Sequence, residues 1–181
     1  MPANPRYDPG RRERIVDACL DVIAEHGVAG TSHRRVAAAA GVPLGSMTYH
    51  FDGMDDLLRA AFTRFSESCA RRVERRMAEA RNPDEGRAAV LALITDDVFS
   101  SQRDLVLTHE LYTLAAREPA YRELTHAWMA RSRAALARHF DPATARILDA
   151  LIEGLTIHRA LDNDQGDAAD AELAVRRILG M

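Results

Sequence analysis

The chain has 181 residues, 47% of them hydrophobic, with 24 basic and 27 acidic side chains and a formal net charge of -3. That length suits one large domain or a small domain joined to a larger one, and the apolar fraction is enough for a sizeable core. No run approaches the roughly 18 apolar residues of a membrane span, and the start, MPANPRYDPGRR, has no apolar signal-peptide core, so spanning and secretion are not expected. Cys19 and Cys69 lie on apolar helical faces with no disulfide framework, so a cytoplasmic, reducing location is expected.

Helical periodicity runs almost throughout, and alternating strand patterns are absent. Arg12 to His26 forms a first helix, with Ile15, Cys19, Val22 and Ile23 on one face and Gly27 as its stop. Thr31 or Ser32 caps a short second helix ending at Ala40-Gly41. A third short helix runs from Pro43 or Leu44 to about Phe51. Asp52 offers an N-cap to a long fourth helix, Met54 to about Arg81, with Leu58, Ala61, Phe62, Phe65, Cys69 and Val73 on its apolar face. Asn82-Pro83-Asp84 breaks the pattern, and a fifth helix covers about 84–100. The sixth (about 103–117) stops at Glu118-Pro119, and the seventh (about 120–140) stops at Asp141-Pro142, where Asp141 can cap the eighth. The eighth reaches about Leu161. A polar loop, 162–166, then precedes a last helix ending at Leu179.

Charge is unevenly distributed along this helical chain. Residues 1–51 carry six Arg against five acids, whereas residues 141–181 carry four Arg against eight acids. Between Glu25 and Asp52 there is no carboxylate at all, although the chain's 27 acids in 181 residues would place about four there. A surface that must approach phosphate has a reason to exclude acids. The same segment holds the two short helices. A helix-turn-helix presses its second helix into the major groove, which requires a tight turn, close helix packing and exposed uncharged or basic hydrogen bonders. Gly41 suits the turn, Val36, Ala37 and Ala40 the packing, and Ser46, Thr48, Tyr49 and His50 the contacts, with Leu44 able to meet a thymine methyl.

The ordered set G-x-x-x-T-S at 27–32, V-A-x-x-A-G-V at 36–42 and Y-H-F at 49–51, after an Arg-rich start and before Leu57-Leu58, resembles the tetracycline-repressor (TetR) family of bacterial transcriptional regulators. The resemblance rests on residues 11–58; the rest matches in helix number and length. It implies an all-α fold of about nine helices. Residues 1–53 would form a three-helix helix-turn-helix DNA-binding domain and 54–181 a helical effector-binding and dimerisation domain, with the division falling in the long fourth helix. It further implies a homodimer that reads a palindromic double-stranded DNA operator and a small-molecule effector that releases it. No cofactor is expected.

Carried over by position, the resemblance makes Ser32 a cap and phosphate contact and lets Arg34 reach a phosphate or a guanine edge. Leu44, Gly45 and Ser46 would face bases, and Tyr49 and His50 the backbone. Phe51 is expected in the core. Three features depart from the family pattern. Thr48 stands where Tyr is usual, Met54 stands where Lys commonly meets phosphate, and Asp52, Asp55 and Asp56 surround the start of the fourth helix. Arg6, Arg11 and Arg12 of the N-terminal arm are expected to compensate.

Helices six and seven carry aromatic and polar stripes, and Phe65, His109, Tyr112, Trp128 and Met129 could line an apolar ligand cavity with a few orienting polar groups. Core packing is the plainer role for any single one of them. Seven His are present without an HxxxH or HExxH spacing, so no metal site is expected, and no nucleophile motif supports an enzyme. On helix eight Leu148, Leu151, Ile152, Leu155 and His158 form a broad face, joined by Ile178 of the last helix, and this face is expected to dimerise. Gly154 within that helix costs about 1 kcal/mol relative to Ala, which close approach of another helix would explain. The competing reading is a helical adaptor of the same fold with weak or lost operator binding.

Overall fold

The computed structural model describes residues 8–97, 101–161 and 168–180. Among these residues there are nine α-helices and no strand: α1 Arg11–His26, α2 His33–Ala40, α3 Gly45–His50, α4 Gly53–Glu79, α5 Pro83–Ala92, α6 Gln102–Arg117, α7 Pro119–Leu136, α8 Pro142–Leu161 and α9 Ala168–Ile178. No helix among them is long and apolar enough to cross a membrane. The chain divides into two compact units at Phe65/Ser66, within α4.

The first unit is built on α1, whose period-3.6 pattern buries Ile15, Val16, Cys19, Val22 and Ile23. Val36 and Ala37 of α2, Met47 of α3, Phe51, and Leu57, Ala61 and Phe62 of α4 complete its core, all nearly inaccessible. Arg64 of α4 pairs with Asp17 of α1 at 2.7 Å and with Glu13.

The second unit has its own core, in which Val73 and Met77 of α4 meet Val90, Leu136, Leu148, Ile152 and Val175 from α5, α7, α8 and α9. Its helix starts follow capping chemistry. The Glu85 N–H donates to Asn82 Oδ1 at 2.9 Å, so Asn82 caps the helix in front of Pro83, and the Glu85 carboxylate accepts the N–H of Arg81, the residue before the cap, at 2.9 Å. Ser101 accepts from the Asp104 N–H, and Asp141 from the N–H groups of Ala143 and Thr144.

Two helices are shorter than their sequence patterns suggest. The α-helical part of α5 ends at Ala92 and a π-helical turn, Leu93–Asp97, follows; residues 98–100 lie outside the described residues. The wider turn lets two consecutive side chains, Leu93 and Ile94, both enter the core, and Arg159 of α8 donates to the Thr95 carbonyl there. Likewise α7 stops at Leu136. The N–H groups of Arg138 and His139 bond three residues back, tightening the chain before Asp141-Pro142. At the start of α4 the carboxylate that reaches the backbone is that of Asp56, which accepts the Asp52 N–H at 3.1 Å.

Candidate DNA-reading head and effector cavity

The loop from α1 to α2 is set by close contacts. Thr31 Oγ1 donates to the Gly27 carbonyl at 2.8 Å, and Arg35 donates to the Gly30 carbonyl. A side chain on Gly30 would put its Cβ 2.3 Å from the His26 carbonyl oxygen, so only glycine fits this turn. Ser32 takes the N-cap position of α2 and accepts the Arg35 N–H at 3.4 Å. Gly41 closes α2 in the left-handed region, φ 64° and ψ 36°, and the Val42 N–H returns to the Ala37 carbonyl at 3.0 Å. This is the reversal that lets a recognition helix follow at once.

With only six residues, α3 has one inward and one outward face. Met47 is fully buried, and Phe51, one turn later, is 3% exposed. Tyr49 is 84% exposed and Leu44 52% exposed; Gly45 and Thr48 are also exposed, and His50 is half-buried with its ring 4.9 Å from that of Tyr49. Ser46 departs from the expectation that it faces bases. It is buried beside Met47, because a helix this short that seats positions 47 and 51 in the core turns position 46 inward as well. The outward set is therefore Leu44, Gly45, Thr48 and Tyr49, with Arg34 and Arg35 exposed on α2. The Thr48 hydroxyl turns back to the Gly45 carbonyl at 3.3 Å.

The arginines expected in an N-terminal arm are partly folded into the unit. Arg12 lies over the Phe51 ring, 5.0 Å from its centroid, and 3.7 Å from Glu13. Arg11 is half-buried in the first turn of α1. Arg6 lies outside the described residues. The acids at the start of α4 are also engaged: Asp55 sits 3.5 Å from Arg59, and Asp56 holds the Asp52 N–H. Their field is thus partly compensated within the helix.

In the second unit a cavity of about 60 Å³ lies among α4, α6, α7 and α8. Its wall includes Cys69, Tyr112, Trp128, Met129, Ile152 and Glu153. The Tyr112 and Trp128 rings stack with centroids 6.1 Å apart and planes at 26°. Of the five side chains expected around a ligand, Tyr112, Trp128 and Met129 are in this wall. Phe65 and His109 are not among its lining residues. Phe65 is buried in the first unit, and His109 is an exposed residue whose Nδ1–H donates to the Leu105 carbonyl at 2.8 Å, the bond an i–4 histidine makes along its own helix.

Three carboxylates line the cavity, and periodicity gave no warning of them. Asp104 pairs with Arg72 at 3.0 Å and Asp149 with Arg133 at 2.8 Å, while Glu153 accepts the Tyr112 hydroxyl. Burial pushes the Glu153 carboxyl above the usual carboxylate range, and burial likewise raises Asp149 against the opposing pull of Arg133. Burial also raises the Cys69 thiol to about 12, so it is a neutral wall residue rather than a nucleophile. The available signal was the pair Asp149 and Glu153, one helical turn apart on an otherwise apolar stretch of α8. Among the described residues, no three His, Cys, Asp or Glu gather in a way that could hold a metal ion.

Most of the side chains expected to dimerise are packed within their own chain. Leu148 and Ile152 belong to the core of their own chain, and Leu151, Leu155 and Ile178 pack partly against it. The side chains left exposed are Ile147 at 53% and Leu161 at 63% on α8, and Leu173 at 46% on α9; His158 is exposed with them. A Cβ on Gly154 would meet nothing within 4 Å.

A tight glycine reversal and a short helix with polar and apolar side chains held outward are the parts of a helix-turn-helix head, and a second helical unit with a cavity accompanies it. The family model for bacterial regulatory proteins of the tetR family matches residues 15–61, and that for a tetracyclin repressor-like C-terminal domain matches residues 83–181. The chain belongs to the TetR family of transcriptional regulators and is not an enzyme. It is 58% identical to SCO7518 from Streptomyces coelicolor A3(2), over 96% of this chain and 100% of that one, with a TM-score of 0.89. The multidrug binding protein EbrR, in its complex with ethidium, is 36% identical over 95% of this chain and 99% of its own, with a TM-score of 0.75. The HTH-type transcriptional regulator BetI of Brucella canis is 25% identical over 172 residues, 91% of this chain and 87% of its own.

Proposed function

We propose that this regulator is a repressor that binds a palindromic operator as a homodimer and leaves it when a small organic molecule fills the cavity of the second unit. The observation that carries the DNA half of this reading is the exposed surface of α2 and α3. Tyr49 is 84% and Leu44 52% exposed in a stretch free of carboxylates from 26 to 51, where a folded chain gains nothing by presenting them to water. Two such heads must meet half-sites about 34–36 Å apart, one helical turn of DNA. The exposed Ile147, Leu161 and Leu173, with the open space over Gly154, suit a two-fold helix pairing. That EbrR binds small molecules through the same fold supports the effector half.

Fluorescence anisotropy with duplexes from the DNA flanking its own gene tests the proposal. Tight binding to one palindromic duplex, competed by that sequence and not by scrambled DNA, is the expected result. Absence of sequence preference even at low salt would instead favour an adaptor built on the same fold. Repression and activation are separated by a reporter gene placed behind that operator.

A further inference from the structure

From Val36 to Phe51 the chain carries no Arg, Lys, Asn, Gln, Asp or Glu. Those are the side chains that read a base edge by bidentate or charge-assisted hydrogen bonds. The exposed guanidiniums of this segment, Arg34 and Arg35, stand on α2, the helix that crosses the DNA backbone, and Arg35 donates to the Gly30 carbonyl of its own loop. The polar groups of α3 itself are engaged within the head. Ser46 is buried, the Thr48 hydroxyl donates to the Gly45 carbonyl at 3.3 Å, and the half-buried His50 ring meets Tyr49 edge-on. Leu44, immediately ahead of α3, is by contrast 52% exposed. Exposed Pro43 precedes it and exposed Gly45 follows, so no larger side chain stands next to it in sequence. Thr48, four residues on and also exposed, shares its face. The surface turned outward here is a leucine and a threonine whose own donor is already used.

In the major groove the distinctive apolar group is the C5 methyl of thymine; the features that mark the other bases are donors and acceptors. A leucine set against a donor or an acceptor strips its water and returns no hydrogen bond, whereas against a methyl both surfaces leave water together. We propose that α3 reads its half-site through thymine methyl groups, with Leu44 as the side chain that determines specificity and Thr48 beside it. This rests on the reading of the first unit as a DNA-binding head and names the class of operator: half-sites that turn thymine methyls, rather than a guanine or adenine edge, toward α3. The same methyl is carried by 5-methylcytosine, which therefore replaces thymine at this position better than cytosine does. No charge takes part and no counterion is released, so the preference is the same at low and at high salt.

Selection with the full chain from a pool of random duplexes supplies the bound sequence, which is expected to be palindromic with thymine in each half. Each thymine is then replaced in turn, in both halves, by deoxyuridine, which pairs with adenine identically and lacks only the methyl. Burial of one methyl-sized group is worth about 0.8 kcal/mol, or about fourfold in affinity. At least one symmetric replacement is therefore expected to lower affinity about 15-fold in anisotropy titrations, equally at low and high salt. A C·G pair at that position is expected to lower affinity as well, and 5-methylcytosine in the same pair to recover part of the loss. Leu44→Ala removes an exposed side chain, so the thermal melt is expected to stay in place. Its binding to the selected duplex is expected to weaken, and the deoxyuridine effect at the position read by Leu44 to disappear, as a double-mutant cycle between protein and DNA requires. A selected duplex whose affinity no deoxyuridine alters, or a folded Leu44→Ala that keeps the full deoxyuridine loss, overturns the methyl readout and leaves the repressor reading intact. Selection that enriches no sequence overturns both.

Discussion

Replacing Tyr49 with Phe deletes one hydroxyl from a ring that is 84% exposed and meets the neighbouring His50 ring edge-on. Nothing in the core depends on that oxygen, so the folding free energy should stay within about 0.5 kcal/mol of the parent, as for surface changes in general. In the proposed complex each head donates that hydroxyl to the DNA backbone. A hydrogen bond contributes about 0.5–1.5 kcal/mol net, so two per dimer come to about 1–3 kcal/mol, or an operator affinity lower by about 5- to 140-fold. The hydroxyl carries no charge and releases no counterion, so the slope of log K against log salt should not change. Arg34→Ala is the contrast, because an arginine on a phosphate accounts for a slope of about 0.9 per contact, or about 1.8 for a dimer. Anisotropy titrations from 50 to 300 mM salt give both quantities for both variants. Unaltered affinity in Tyr49→Phe, or a slope change as large as that of Arg34→Ala, would refute the assignment of Tyr49 to an uncharged backbone contact.

Leu148→Ala, at a fully buried site, should lower stability by about 2–5 kcal/mol in a denaturant melt, whereas Ile147→Ala, one position away and half exposed, should not do so by loss of its own chain's core. Ile147→Glu combined with Leu161→Glu should leave helical circular dichroism intact but shift the chain toward monomer by analytical ultracentrifugation and abolish operator binding. The Glu74–Arg131 pair, bidentate at 2.7 and 2.8 Å, holds the Glu74 carboxyl below the usual carboxylate range. Its contribution is present above that range and is lost as pH falls through the lowered folded value. Glu74→Gln should therefore be less stable than the parent near neutrality, with the gap closing in acid, and by no more than about 1 kcal/mol because both side chains are 38% exposed.

Much of this was legible in the chain itself. Gly27, Gly41, Asn82-Pro83 and Asp141-Pro142 mark helix ends because each acts through local backbone chemistry that needs no tertiary information. The family pattern at 27–51 likewise sits in a short segment whose turn and caps are local. What the sequence left open depends on which neighbour a side chain meets. Positions 147, 148, 151, 152 and 155 of α8 are all Ile or Leu, an apolar band wide enough to be rotated either way, and only packing against α7 and α9 turns Leu148 and Ile152 inward and Ile147 outward. Ser46 misleads for a related reason, since in a six-residue helix a small polar side chain can be turned inward without an apolar signature. Glu153 reads as a solvated charge until α6 brings Tyr112 against it. The π-turn at Leu93–Asp97 depends on two adjacent apolar residues and on Arg159, far along the chain.

The Tyr112–Glu153 hydrogen bond joins α6 to α8 across the cavity, and this gives the proposed effector something to act on. A ligand shifts a two-state protein only through a difference in its affinity for the two states; tight binding that is equal in both shifts nothing. An effector that bonds to either group displaces the other, so the empty and filled cavities differ in the bond that ties these two helices. A state in which α6 and α8 are held by that bond is disfavoured by the ligand, and a state in which they are released is favoured. Reciprocity then fixes the cost on the other side. If the effector weakens operator binding by a given factor, the operator must weaken effector binding by the same factor, and Tyr112→Phe, which removes the competing bond without emptying the aromatic wall, should shrink both factors together.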